Sequence, residues 1–285
     1  MIPLRTGALI ILLLSGCAGA LDEPPALSAP QDEGVNVIDE SSLNDLMLTL
    51  SDPEDAIAYF QRALTEEPGR AEFRRGYALA LARARRHEEA VRAFEELDQE
   101  GLATDRTLIE EAHSLARLKR WEDAEAVMDR VSGSAGGPRR HLIEAMLADQ
   151  RGDWAAADAE YERARRGAAN PATILNNWGV SRMSRGEFRA AEKTFEEALS
   201  YDPQLFNAKN NLAVSRALRG EYRLPLVAMS EEERAIVLHN IGVIALRRGD
   251  REQAKGLFTM AVAAHPRYYP EAAEKLAALS ANVIN

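Results

Sequence analysis

Residues 172–205 read ATILNNWGVSRMSRGEFRAAEKTFEEALSYDPQL, and their outline returns along most of the chain. Trp178 and Gly179 fall in one helical pattern, Gly186 and Phe188 mark a turn, and Ala191, Phe195 and Ala198 lie on one face of a second helix. Asp202-Pro203 ends that helix, because proline cannot continue the backbone ladder. The second-helix spacing recurs as Ala56, Phe60, Ala63 and Pro68, then as Ala90, Phe94 and Leu97, and again as Ala124, Met128 and Val131. It recurs once more as Ala157, Tyr161 and Ala164 behind Gly152-Asp153-Trp154, and as Ala254, Phe258, Ala261 and Pro266 behind Gly249-Asp250. A period of about 34 residues makes each unit a helix pair that cannot bury its own apolar face. The pairs must therefore stack into a solenoid with a hollow inner side. Small residues midway along the first helices, Gly179, Ala213 and Gly242, let the second helix approach, and the aromatic of that helix fills the space beside them.

One unit departs from the pattern. FNAKNNLAVSRALRG, residues 206–220, forms a good first helix, but Tyr222 is followed by RLPLVAMSEEER, with Pro225 where a small alanine belongs. The partner helix is expected to be missing or short. Ser230 reads as the N-cap of the next helix and Glu233 completes a capping box. The interruption over 222–233 is either a binding notch or a tolerated loop. We count about six repeats, one of them truncated, followed by a capping helix over 270–283.

These markers resemble the tetratricopeptide (TPR) consensus, which implies an all-α, right-handed superhelix of antiparallel helix pairs over residues 41–285. In that family the first helices line a concave, peptide-binding surface. Carried over position by position, the early units present Arg75, Arg83, Arg106, His113, Arg117 and Arg139. The later ones present Asn176, Val180, Met183, Asn210, Val214, Leu218, His239, Val243 and Arg247. Asn177, Asn211 and Asn240 stand one place further on, where asparagine is common in TPRs for structural reasons. Amides can bond a peptide backbone, and valine and leucine supply apolar sockets. The arginines either offer docking to an acidic peptide or pair with local glutamates along the surface.

The N-terminus adds an address. Residues 1–16 carry one cation, Arg5, an apolar run from Ala8 to Leu14, and the small residues Ser15 and Gly16 ahead of Cys17, the single cysteine. That is the layout of an export signal, too short to span a bilayer. Leu14-Ser15-Gly16-Cys17 resembles the lipobox of bacterial lipoproteins, which implies cleavage before Cys17 and acylation of its thiol and new amine. Two or more acyl chains hold a protein on a membrane stably. Ala18 follows where an aspartate would favour inner-membrane retention, so the outer membrane is expected. Residues 17–40, with Pro24, Pro25 and Pro30 and no apolar period, read as a disordered tether of about 25 Å typical span.

Of the 285 residues 45 are acidic and 35 are Lys or Arg, a net charge of −10 that opposes both nucleic acid and adsorption to anionic lipid. The sequence holds no HExxH, GxSxG, phosphate loop or dinucleotide fingerprint, and His87, His113, His141, His239 and His265 lie scattered without metal-ligand spacing. We expect no catalysis, metal, cofactor or small-molecule substrate.

The lipobox, the Pro-rich tether and an array ending ILNNWGVSRMSRGEFRAAEKTFEEALSYDP, KNNLAVSRALRGEY, a Pro-containing break and LHNIGVIALRRGD resemble the TadD-type lipoproteins of the tight-adherence (Tad/Flp) pilus system. The resemblance implies a pilotin-like accessory scaffold at the periplasmic side of the outer membrane, helping a secretin localise or assemble. The alternative is a general TPR lipoprotein adaptor for peptidoglycan hydrolases or outer-membrane protein assembly.

Overall fold

The computed structural model describes residues 40–133 and 135–281. The expected signal over 1–16, the expected lipidation residue Cys17 and the expected tether up to residue 39 lie outside the described residues. The described residues form fourteen helices and no strand. In chain order these are α1 (Glu40–Thr49), α2 (Pro53–Glu66), α3 (Ala71–Arg83), α4 (His87–Gln99), α5 (Asp105–Arg117), α6 (Trp121–Met128) and α7 (Pro138–Arg151). There follow α8 (Trp154–Gly167), α9 (Ala172–Ser184), α10 (Phe188–Tyr201), α11 (Phe206–Leu218), α12 (Glu231–Arg247), α13 (Arg251–Ala264) and α14 (Pro270–Ala281).

The helices pair in sequence as α1/α2, α3/α4, α5/α6, α7/α8, α9/α10 and α12/α13; α11 has no second helix, and α14 packs on α13. First helices also meet one another, α1 on α3, α3 on α5, α5 on α7 and α9 on α11. Second helices pack on the first helices before and after them. Elements on the inside of a curve converge while those outside splay, so the first helices line the hollow side.

Local chemistry sets the helix starts. Asp52 Oδ1 accepts the Glu54 amide at 2.9 Å ahead of α2, and Thr104 and Thr107 form a reciprocal box at α5. At α12 the Glu233 amide donates to Ser230 Oγ at 3.1 Å while the Ser230 amide donates to Glu233 Oε2 at 3.0 Å. In the turns inside α3/α4, α5/α6, α7/α8, α9/α10 and α12/α13 one residue takes positive φ: Gly186 does so freely at 81°, whereas Lys119 is held there at 62°.

Packing depends on close approach. A Cβ on Gly179 would stand 2.4 Å from the Phe195 ring, and one on Gly242 2.8 Å from Phe258, both rings being fully buried. Residues 219–230 hold no helix. Tyr222, Leu224 and Met229 pack instead on the core beneath α12, Pro225 is buried, and Leu226 projects fully into solvent. The space a second helix would take is thus covered by irregular chain. A second irregularity lies at α6, which runs only eight residues. Between it and α7 opens a cleft of about 430 Å³ lined by Trp121, Glu125, Leu147 and Arg151 among others.

Candidate functional site

The inner face of α9, α11 and α12 carries a ladder of side-chain amides. Asn211 Nδ2 donates to Asn176 Oδ1 at 3.0 Å, and Asn240 Nδ2 donates to Asn210 Oδ1 at 2.7 Å. Each rung runs from one first helix back to the one before it. A primary amide has two N–H donors and two acceptor lone pairs, so a rung uses a fraction of what it holds. The Nδ2 groups of Asn176 and Asn210 and the Oδ1 atoms of Asn211 and Asn240 have no further partner among the described residues, and none is sealed from solvent. Asn177 takes no part in a rung; at the place on α7 that would answer it stands Leu142, buried in the core.

Beside the ladder runs a stripe of valines. Val180 is exposed, and Val214 and Val243 are half-buried one per helix, with Met183 and Leu218 also half-buried. Arg182 lies over the Trp178 ring at 4.0 Å and donates to Thr194 Oγ1 at 2.6 Å, which fixes the end of α9. His239, expected on the groove, instead packs its ring against Phe258 at 5.7 Å and Tyr269 at 5.5 Å. Its Nε2 is buried without a partner, so the imidazole is turned into the seam that α14 closes.

The basic half of the face is largely spent on the protein itself. Arg75 donates to the Leu102 carbonyl at 3.2 Å and meets Glu72, while Arg83 donates to the carbonyls of Met47 at 3.3 Å and Ser51 at 2.5 Å. Arg106 faces Asp45 at 3.6 Å. Arg139 forms two bonds with Glu110, at 2.9 and 2.7 Å, and a third to His113 Nδ1 at 3.2 Å. Burial pushes His113 down to about 3, with Arg139, His87 and Arg117 adding to it, so its ring is neutral at pH 7 and accepts that third bond. Arg117 is exposed and has no hydrogen-bonded partner among the described residues. Pairing with a glutamate describes Arg75 and Arg139, whereas Arg83 is held by backbone carbonyls and Arg106 by Asp45.

Two features that position the face carry little signal in the sequence. Asp149 on α7 accepts from Tyr161 Oη at 2.8 Å and Ser181 Oγ at 2.6 Å, joining α7, α8 and α9, and burial raises its carboxyl above the usual range. Lys209 on α11 is only 1% exposed and its Nζ meets Glu233 of α12 at 3.0 Å. The histidines were expected to have no metal partners. The α7/α8 hairpin nevertheless gathers His141, Glu144 and Glu160, with ligand atoms all within 4.8 Å of one another. The His-x-x-Glu spacing of 141 and 144 marks one helix face, but Glu160 joins it only through the tertiary fold.

Comparison with known proteins agrees with this architecture. The model of the tetratricopeptide repeat matches residues 45–101 and 176–223. No curated protein matches the chain. Among solved structures, the APC/C hetero-tetramer Cut9-Hcn1 aligns at a TM-score of 0.56 and 16% identity, over 84% of this chain and 47% of that one. A monomeric mutant of IFIT1 with m7Gppp-AAAA aligns at 0.63 and 14% identity, over 85% and 62%. A tetratricopeptide repeat protein from Parabacteroides merdae aligns at 0.51 and 14% identity, over 84% and 96%. The chain thus spans about half to two thirds of the first two structures. The likeness is one of fold: the chain is an all-α TPR solenoid. Among the described residues no helix is long and apolar enough to cross a membrane.

Proposed function

We propose that the chain is a non-enzymatic scaffold that holds an extended segment of a partner protein against α9, α11 and α12. The observation that carries this reading is the amide ladder with its unspent donors and acceptors, set beside Val180, Val214 and Val243. An extended peptide presents backbone N–H and C=O groups in alternation, which the free Nδ2 and Oδ1 atoms match, while the valines take alternate side chains. Capture of this kind is tolerant of sequence and suits an assembly factor. Such a scaffold gains most when tethered, because tethering raises the local concentration of its groove where the partner arrives. The lipobox at Cys17 supports an anchor at the periplasmic side of the outer membrane, and the resemblance to TadD-type lipoproteins supports a pilotin-like role in placing or assembling a Tad/Flp secretin.

The test is a photo-crosslinking amino acid at position 210 in cells of the native host, with Cys17→Ser fractionated in parallel. We expect a crosslink to a secretin or another pilus-assembly component, and release of Cys17→Ser from the membrane. Crosslinks to peptidoglycan hydrolases or outer-membrane assembly factors would replace the Tad role with that of an envelope adaptor. Absence of any crosslinked protein would overturn the groove, and Cys17→Ser remaining in the membrane would overturn the anchor.

A further inference from the structure

We propose that His141, Glu144 and Glu160 form a binding site for a divalent transition ion of the zinc type, one that clasps α7 to α8. His141 and Glu144 stand three residues apart on α7 and so share a face. Glu160 comes from α8. His141 Nδ1 lies 2.8 Å from Glu160 Oε2 and 3.3 Å from Glu144 Oε2. The three side chains are 29%, 30% and 17% exposed, enough for an ion to enter and for water to complete its shell.

The orientation of the carboxylates supports this assignment. Each one gives its Oε1 to an arginine, Glu144 to Arg140 Nε at 2.8 Å and Glu160 to Arg163. That leaves both Oε2 atoms turned toward the same imidazole nitrogen. Outer partners of this sort orient ligating carboxylates in metal sites. They also leave the two acids charge-balanced, so an ion is held by coordination and not by a surplus of negative charge. One imidazole nitrogen and two carboxylate oxygens form a three-ligand set open in a fourth direction, which suits zinc, and the imidazole disfavours calcium and magnesium.

The place in the repeat makes the cluster harder to attribute to packing. The matching places of α9/α10 hold Leu175, Trp178 and Thr194, and those of α12/α13 hold Leu238, Ile241 and Leu257, all buried. Two carboxylates and an imidazole in that seam give up the apolar contact those two units use. A bridging ion would restore the cohesion between α7 and α8 next to the cleft left by the short α6.

The full chain, stripped with chelator, is titrated with Zn²⁺ by calorimetry and thermal melting, and with Co²⁺ by visible absorption. His141→Gln and Glu160→Gln serve as variants that keep size and hydrogen bonding, with circular dichroism confirming that they fold. We expect one site whose occupancy raises the melting temperature and gives a Co²⁺ absorption band. Each variant should weaken Zn²⁺ binding by about tenfold or more and lose the band. No zinc-dependent shift in the wild-type chain, or equal binding by His141→Gln, would overturn the site; the second result would place the ion on another group such as Cys17.

Discussion

Asn211 on α11 donates to Asn176 on α9 at 3.0 Å, and Asn176 is itself only 8% exposed. An acceptor so placed relies on this donor. Asn211→Ala should therefore cost about 1–2 kcal/mol, read as a lower midpoint in urea denaturation. Asn177→Ala removes an amide that belongs to no rung and should stay within about 0.5 kcal/mol of the wild type. Equal losses in both variants would mean that the ladder contributes nothing specific.

Two glycines should respond to the same substitution with opposite signs. Gly179→Ala places a methyl group 2.4 Å from the ring of fully buried Phe195, which must shift in a close-packed seam, and a loss of about 1–3 kcal/mol follows. Gly256 lies inside α13 with open space around it, so Gly256→Ala should gain about 0.5–1 kcal/mol from helix propensity. Thermal melts of the two variants against the wild type check the pair.

The same contrast explains what was legible in the sequence. Gly179 beside Phe195 and Gly242 beside Phe258 are repeat markers, spaced by the fold's own period, and they place both the hairpins and their closest contact. Ser230 and Glu233 were readable as a box because capping is local, three residues apart. The groove positions of the asparagines were what the resemblance to the TPR consensus implied. What the consensus could not give was partnership: whether Arg83 meets a ligand or the carbonyls of Met47 and Ser51 depends on how α1 and α2 lie against α3. The packing of His239 was out of reach for the same reason, since its aromatic seam with Tyr269 exists only once α14 has docked. Glu160 reaches His141 across a turn whose geometry no spacing within one helix expresses.

Lys209 and Glu233 form an unequal pair. The ammonium is 1% exposed and the carboxylate 24%, so the two halves are expected to respond differently to neutralisation. Glu233→Gln keeps a residue that serves the capping box equally well, yet strands a buried cation, and should cost about 3 kcal/mol. Lys209→Met fills similar volume with an apolar chain and leaves a carboxylate that water can still reach, so it should cost less than about 1 kcal/mol. Chemical denaturation of both variants tests this, and a Lys209→Met loss equal to that of Glu233→Gln would refute the asymmetry.

Glu111 on α5 should make the fold sensitive to pH. It is 5% exposed, and burial pushes its carboxyl up from 4.5 to about 7. Asp98 and Glu95 add to the rise, while Arg130 and Arg120 oppose it. The folded chain therefore holds this proton more tightly than the unfolded chain does between roughly pH 4.5 and 7. Wherever the folded state binds more protons, stability falls as pH rises, so this contribution is favourable below that window and is lost across it. Glu111→Gln removes the titration but keeps the side chain's shape. Its gain over the wild type should be on the order of 1–3 kcal/mol larger at pH 8 than at pH 5. Other groups, Asp149 and Glu192 among them, titrate in both proteins and cancel in the comparison. Urea midpoints for the two proteins that move in parallel between pH 5 and 8 would mean that Glu111 is ionised at no cost, and that the surrounding arginines outweigh its burial.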